Sequence, residues 1–254
     1  MLLTNRMTEA PSSGPTVRNR FLQSLTPDEF SALRVHLKHV SLTRRMVIHE
    51  ENKLIEGVFF IESGVVSRVV RTQVDGAVEV AMIGNSGFVG LGIILGTNVA
   101  LHRTVVMIPG SALRIPSADL LELMRKNPAI RDRLLRYVHF LMSQKALIAL
   151  CNARHGIENR LARWLLMALD RMDTDVVPVT HDMLAMLLGV RRPGVSEALK
   201  EFAAHGIIAR GRGALKILDR QKLQDHACPC YRQIAERSFW QNVPTLHTHR
   251  LQAD

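Results

Sequence analysis

The stretch 180–203, THDMLAMLLGVRRPGVSEALKEFA, constrains the chain most. The Thr180 hydroxyl can accept a free backbone N–H at the second or third position of a helix and so cap it. Leu184, Leu187 and Leu188 follow at i, i+3 and i+4 and make one apolar stripe. Gly189 ends the helix, because a left-handed residue just past the last turn costs glycine least. Val190 is an apolar plug for the angle that follows. Pro193 suits the first turn of a second helix, where its missing N–H is not needed. Val195, Ala198, Leu199, Phe202 and Ala203 form the buried face of that helix, leaving Arg192, Pro193, Ser196, Glu197 and Lys200 outside. The spacing predicts a helix-turn-helix. An ordinary helical hairpin with a solvated charged face would read the same, so the motif alone does not decide for DNA.

The next segment weighs in. Residues 206–209 and 214–218 read as short strands joined by Arg210-Gly211-Arg212-Gly213, a glycine-rich hairpin turn. That predicts a winged helix-turn-helix with two arginines at the wing. From Arg191 to Lys222 there are eight cations against three anions, and the whole chain carries a formal charge of +10. Phosphate attraction is the simplest reason to gather such charge around a helix start and a wing, and double-stranded DNA is the expected partner.

The rest of the chain frames that motif; the 254 residues suffice for two cores. Residues 1–18 read as a flexible arm with no apolar signal-peptide core, and no apolar run approaches the roughly 20 residues of a membrane span. The three cysteines, Cys151, Cys228 and Cys230, do not make a secreted disulfide framework, so a cytoplasmic location and no membrane partner are expected. Residues 19–40 look helical, with Thr26-Pro27 as a start signal. Short strands are expected at 46–50, 57–62, 65–72, 77–83, 104–108 and 112–115, separated by turns at Ser63-Gly64, Asp75-Gly76, 84–87 and Pro109-Gly110, which suggests a β-roll or jelly-roll. Helices follow at 119–126 and, longest, at 129–152. On the long one Ile130, Leu134, Val138, Leu141, Lys145, Ile148 and Asn152 trace a nearly heptad line. Leu135, Phe140, Met142 and Leu147 widen it beyond what one roll would cover, so the surplus is expected to meet the same helix of a second subunit. A further helix at 154–172 and a short strand at 176–179 lead into the opening motif. The fold class is α+β: a roll at 19–127, a long dimerisation helix at 128–153, a winged helix-turn-helix at 154–230 and a tail at 231–254.

In this order the elements resemble the Crp–Fnr family of bacterial transcription regulators. The resemblance rests on 56–66 (EGVFFIESGVV), on 84–90 (GNSGFVG) and, almost position by position, on 180–200. It implies Arg192 as the leading base-reading residue, with Pro193 and Glu197 at the other readout positions, and Thr180 at a phosphate. Arg191, Ser196, Lys200, Arg210 and Arg212 complete the phosphate candidates. Arginine can donate twice to guanine; Glu197 can accept from cytosine, or pair instead with Lys200 or Arg192. The family implies a homodimer on a pseudo-palindromic operator, working with RNA polymerase; the sequence offers no nucleophile–base–orienter grouping, catalytic metal-ligand cluster or P-loop, so an enzyme is not expected. The alternative is an anion-binding or nucleotide-binding module that signals through protein contacts.

The resemblance also places Arg103-Thr104 where the family holds a cyclic-nucleotide phosphate. Leu91 stands at the ribose-binding acid, and Lys145 and Ala146 stand at the adenine contacts, so cyclic AMP is disfavoured and the effector is unassigned. Arg103 has a simpler reading as the partner of an acid across the roll. No N-terminal cysteine cluster supports an iron–sulfur sensor, and lone His49, His102 and His139 do not assign a haem. His226, Cys228 and Cys230 are weak candidates for a soft metal or for thiol oxidation, set against a plain capping turn after the helix at 219–224.

Overall fold

The computed structural model describes residues 17–72, 76–172 and 174–236. Most of the expected arm, the Asp75 turn position and the tail from residue 237 lie outside the described residues.

The single helix expected over 19–40 is instead two, α1 (Arg20–Gln23) and α2 (Pro27–Arg34). The break comes from Pro27, which disfavours helical geometry at Thr26; that residue is extended at φ −65°, ψ 160°. Thr26 and Glu29 then close a reciprocal capping box. Asn19 ties this start to the sheet: its amide donates to the carbonyls of Ile61 and Gly87, each at 2.8 Å.

The roll follows: β1 (Lys38–Leu42), β2 (Val47–His49), β3 (Gly57–Thr72), β4 (Gly76–Ile83), β5 (Phe88–Val89), α3 (Leu91–Ile94) and β6 (Arg103–Pro116). The sheet runs β1-β6-β3-β4, with β2 on β6 and β5 on β3, all antiparallel. Two expected turns do not occur. Ser63-Gly64 and Pro109-Gly110 face one another as irregularities inside two long paired strands, where the register shifts between Ile61 and Val66. Gly64 has φ 82°, and a Cβ there would lie 2.5 Å from the Ile108 carbonyl oxygen. Glycine here permits two bulged strands to bend together rather than reverse.

Next come α4 (Ser117–Lys126), α5 (Pro128–Arg154) and α6 (Ile157–Leu169). Asn127 caps α5 by accepting from the Ile130 N–H at 3.2 Å. The helix expected at 154–172 starts later, because Arg154 still belongs to α5 and Gly156 sits extended at the start of α6. Along α5 the line Ile130, Leu134 and Val138 is buried against its own chain. The solvent-facing positions fall one residue on: Leu135, His139, Met142, Ala146, Ala149 and Ala153.

The C-terminal half contains β7 (Val176–Val177), α7 (His181–Leu188), α8 (Arg192–Ala204), β8 (Ile208–Gly211), β9 (Ala214–Ile217), α9 (Arg220–His226) and α10 (Pro229–Glu236), with a sheet ordered β7-β9-β8. The start of the expected tail is therefore helical: Tyr231 and Ile234 of α10 are buried, in the same cluster as Leu165 and Phe202. That cluster does not stop at the C-terminal half. It takes in Val65, Met82, Met107 and Ile108 of the roll, so the apolar cores do not divide where the sequence pattern changes. A polar bridge crosses the same junction. The Trp164 indole donates to Glu79 at 2.8 Å, and the Ser67 hydroxyl donates to the other carboxylate oxygen. Burial pushes the Glu79 carboxyl above its ordinary range. No described helix is long and apolar enough to cross a membrane.

Candidate nucleic-acid interface and effector cavity

The reading end is assembled locally. Thr180 Oγ1 accepts from the Met183 N–H at 3.2 Å, capping α7 at its third residue. Gly189 closes α7 in the left-handed region at φ 63°. The Val190 N–H then returns to the Ala185 carbonyl at 3.0 Å, turning the chain into α8. Val195, Ala198, Leu199 and Phe202 are buried, while Ala203 is only half-buried. The outward face carries Arg191, Arg192, Pro193, Glu197 and Lys200, all exposed.

These side chains are lightly engaged. Arg192 Nε lies 3.2 Å from Asp182 Oδ1, both more than half exposed, and Lys200 Nζ lies 3.7 Å from Glu197 Oε1. Glu197 thus pairs with Lys200 in the free chain. Ser196 is half-buried, its Oγ 2.9 Å from His181 Nδ1. In the wing, Arg210 and Gly211 belong to β8, and the turn itself is Arg212-Gly213, with Gly213 at φ 72°. Arg212 is at the tip and Arg210 two residues back, both exposed. The four-residue turn expected from sequence is therefore a two-residue one, with its left-handed residue at the second position.

Arg103 and Thr104 separate. Thr104, 2% exposed, lines a cavity of about 280 Å³ between the roll and α5. Arg103 lines a different cavity of about 510 Å³, between the roll and α7, where its Nε lies 3.4 Å from Glu50 Oε2. An acid does partner it. The smaller cavity is walled by Leu91, Leu95, Val138 and Leu141, and its cationic groups are Arg68 and Lys145. Burial pushes both below their ordinary pKa, and for Lys145 the nearby Arg68 adds to the effect. Lys145 Nζ donates to the Val80 carbonyl at 3.0 Å. No carboxylate is among the described residues lining this cavity. Ala146, expected at a base contact, is exposed on the other side of the helix. Sequence reading missed Arg68 because its strand also carries Arg71, and only the fold shows which of the two reaches this cavity.

His226 does not join the two late cysteines. Its ring lies on Phe202, with centroids 5.3 Å apart. The imidazole beside Cys228 and Cys230 belongs to His155, and the third thiol there is Cys151. The missed signal was Cys151-x-x-x-His155, an i, i+4 pair at the end of the long helix, more than seventy residues before the cysteines it meets.

Residues 39–127 match the family model for a cyclic nucleotide-binding domain, and residues 159–226 match that for a Crp-like helix-turn-helix domain. Among solved structures, FixK2 from Bradyrhizobium japonicum is similar at 18% identity, with a TM-score of 0.65, over 76% of this chain and 98% of that one. The c-di-GMP-responsive global regulator CLP from Xanthomonas campestris is similar at 17% identity, with a TM-score of 0.60, over 76% and 100%. TTHB099, a CRP-family transcriptional regulator from Thermus thermophilus, is similar at 19% identity, with a TM-score of 0.60, over 75% and 96%. At such identities the structures establish a shared fold. No curated protein matches the chain.

Proposed function

We propose that this chain, which belongs to the Crp–Fnr family of transcription regulators, is a cytoplasmic homodimer that reads a pseudo-palindromic operator through Arg192 and its neighbours on α8. The observation that carries this reading is the outer face of α8. It presents Arg191, Arg192, Pro193, Glu197 and Lys200 to solvent, next to a wing tipped by Arg212. Among the described residues Arg192 is held only by an exposed pair to Asp182, and such pairs contribute about 0–1 kcal/mol, so guanine can compete for the guanidinium.

Pairing is supported by α5. Leu135, His139, Met142, Ala146, Ala149 and Ala153 are exposed at spacings of 4, 3, 4, 3 and 4, the seam of a two-helix coil. Two chains joined there set two α8 helices against half-sites about one turn of DNA apart. Contact with RNA polymerase belongs to the same reading. The effector is an anion with an apolar body rather than a cyclic nucleotide. The cavity offers Arg68 and Lys145 within aliphatic walls, and no acid for a ribose hydroxyl. An unmet hydroxyl there costs about 1–3 kcal/mol.

Selection of bound fragments from a random DNA pool by the full chain, with sedimentation of the complex, tests this reading. Recovery of an inverted repeat bound by two chains is the expected result. A uniform pool, or a single chain per site, refutes it.

A further inference from the structure

Cys151 ends α5, His155 is the residue after that helix, and Cys228 and Cys230 flank Pro229 at the start of α10. Their ligating atoms all lie within 4.8 Å of one another. Cys151 Sγ is 3.3 Å from Cys228 Sγ, and Cys230 Sγ is 3.7 Å from His155 Nδ1. The three thiols are free and buried. We propose that Cys151, His155, Cys228 and Cys230 form a closed, mononuclear zinc site that staples the end of the long helix to the turn between α9 and α10, and so fixes the DNA-reading half against the dimer helix.

The spacing suits one ion. Zinc–sulfur bonds of about 2.3 Å and zinc–nitrogen bonds of about 2.0–2.1 Å at tetrahedral angles put neighbouring ligand atoms roughly 3.4–3.8 Å apart. An iron–sulfur cluster would hold its cysteine sulfurs further apart, because several bridged irons lie between them. Three thiolates and one imidazole are a soft, four-coordinate set that favours zinc over magnesium or calcium, and with all four positions filled by protein the site is structural rather than catalytic. The local chain is built for it. The His155 N–H donates to the Cys151 carbonyl at 3.0 Å, which holds the two residues together at the helix end. Pro229 fixes the backbone between the other two cysteines, at the start of α10.

A second observation points the same way. Arg163 is 4% exposed; among the described residues its Nε has no partner, and its other nitrogens reach only Met167 Sδ and Asn152 Oδ1, each at 3.5 Å. Glu79 is in electrostatic range of this guanidinium, but burial disfavours its anion, so a further counter-charge suits the site. Zinc with three thiolates and a neutral imidazole carries a net charge of −1, and Arg163 lies within electrostatic range of both Cys151 and Cys230. The staple also spans the right place. Gly156, between His155 and α6, is the joint at which the long helix passes to the C-terminal half.

The full chain, saturated with zinc and dialysed against metal-free buffer, should retain about one zinc per chain, the stoichiometry of a closed four-ligand site. Cobalt in its place should give the intense bands of tetrahedral thiolate coordination. Cys230→Ser and His155→Gln should each lose the metal on dialysis, whereas His226→Gln should keep it. Absence of retained zinc in the parent chain overturns the site. So does zinc that persists in both ligand variants, or a Cys151–Cys228 disulfide found by mass mapping of the zinc-treated protein. The orienting role rests on the DNA-binding reading above. Chelation should weaken operator binding and added zinc restore it, while unchanged affinity overturns that role. Metal content needs no DNA, so a chain that holds zinc but binds no operator would refute the DNA reading and leave the site standing.

Discussion

The outer face of α8 and the cavity beneath the roll treat charge in opposite ways. On α8 Arg192 and Lys200 stand in water, paired at 3.2 and 3.7 Å with acids that are themselves exposed. In the cavity Arg68 and Lys145 are desolvated, with their guanidinium and ammonium forms disfavoured by burial. The first arrangement suits a large polyanion that displaces those partners cheaply. The second suits a small anion that can follow the cations into an apolar space. On the proposed reading, one surface is open to any phosphate backbone and takes its specificity from a few base edges, and the other takes it from shape. The two are joined by α5, so the largest test of the comparison is to separate the halves of the proposed dimer. Leu135→Glu with Ala149→Glu puts two acids on the exposed seam of each chain and leaves the buried line of the same helix untouched. Sedimentation velocity should then report single chains, and operator affinity should fall by about 10²–10⁴, the gain that linking two sites confers. A double variant that still pairs would move the dimer surface elsewhere.

Next in size is the distinction between reading and holding on α8 itself. Arg192→Ala should lose about 1–3 kcal/mol of discrimination at one base pair of each half-site, with little change on DNA already altered there. Competition binding across single-base operator variants measures it. A uniform loss over all sequences would place Arg192 among the phosphate contacts instead.

That these residues can be named from the sequence at all has a physical cause. A helix-turn-helix is written within about two dozen consecutive residues. The cap at Thr180, the left-handed Gly189 and the alternation of buried Val195, Leu199 and Phe202 with exposed Arg192 and Glu197 are all local, and the structure has each of them. The long helix is equally legible in its length. Its faces are not, because the buried line and the exposed seam differ by one residue, and only the roll packed against α5 tells them apart. The roll reads as short strands in sequence because Gly64 and Gly110 look like turns. Their role as facing bulges depends on β3 meeting β6, a strand far along the chain. The cavity is least visible. Its groups come from residues as distant as His49 and Lys145, and nothing in the neighbourhood of Arg68 separates it from Arg71, which lines the other cavity. The thiol–imidazole group escapes for the same reason, being divided between the two ends of the C-terminal half.

The wing gives a smaller, graded effect. Arg212 is at the hairpin tip and Arg210 two residues behind it. Arg212→Ala should reduce the slope of log affinity against log salt by about 0.9 for each phosphate no longer neutralised, hence about twice that for a dimer. Arg210→Ala should reduce it less. Equal slopes before and after would remove the wing from the DNA-facing surface.

The smallest expected effect concerns the place where the two regions touch. Glu79 of β4 accepts a hydrogen bond from Trp164 across the junction and another from Ser67 of the adjacent β3, with Arg163 and Arg171 in electrostatic range. Burial nevertheless dominates and raises its pKa, so the native chain holds this proton more tightly than the unfolded chain does. Between the ordinary carboxylate value and the raised native one, the folded state therefore binds more protons, and stability must fall as pH rises through that window. Glutamine at this position is neutral at every pH and can still accept from the Trp164 indole through its carbonyl. Glu79→Gln should match the parent at the acid end of the window and then become the more stable of the two as pH increases. Each kcal/mol appears as about 2–4 °C in a chain of this size, so melting temperatures measured in steps across that range will show it. Two parallel curves would mean that the indole, the hydroxyl and the two guanidiniums hold Glu79 as an anion at no net cost. The junction would then manage charge by pairing, as the face of α8 does, and not by exclusion of water, as the cavity does.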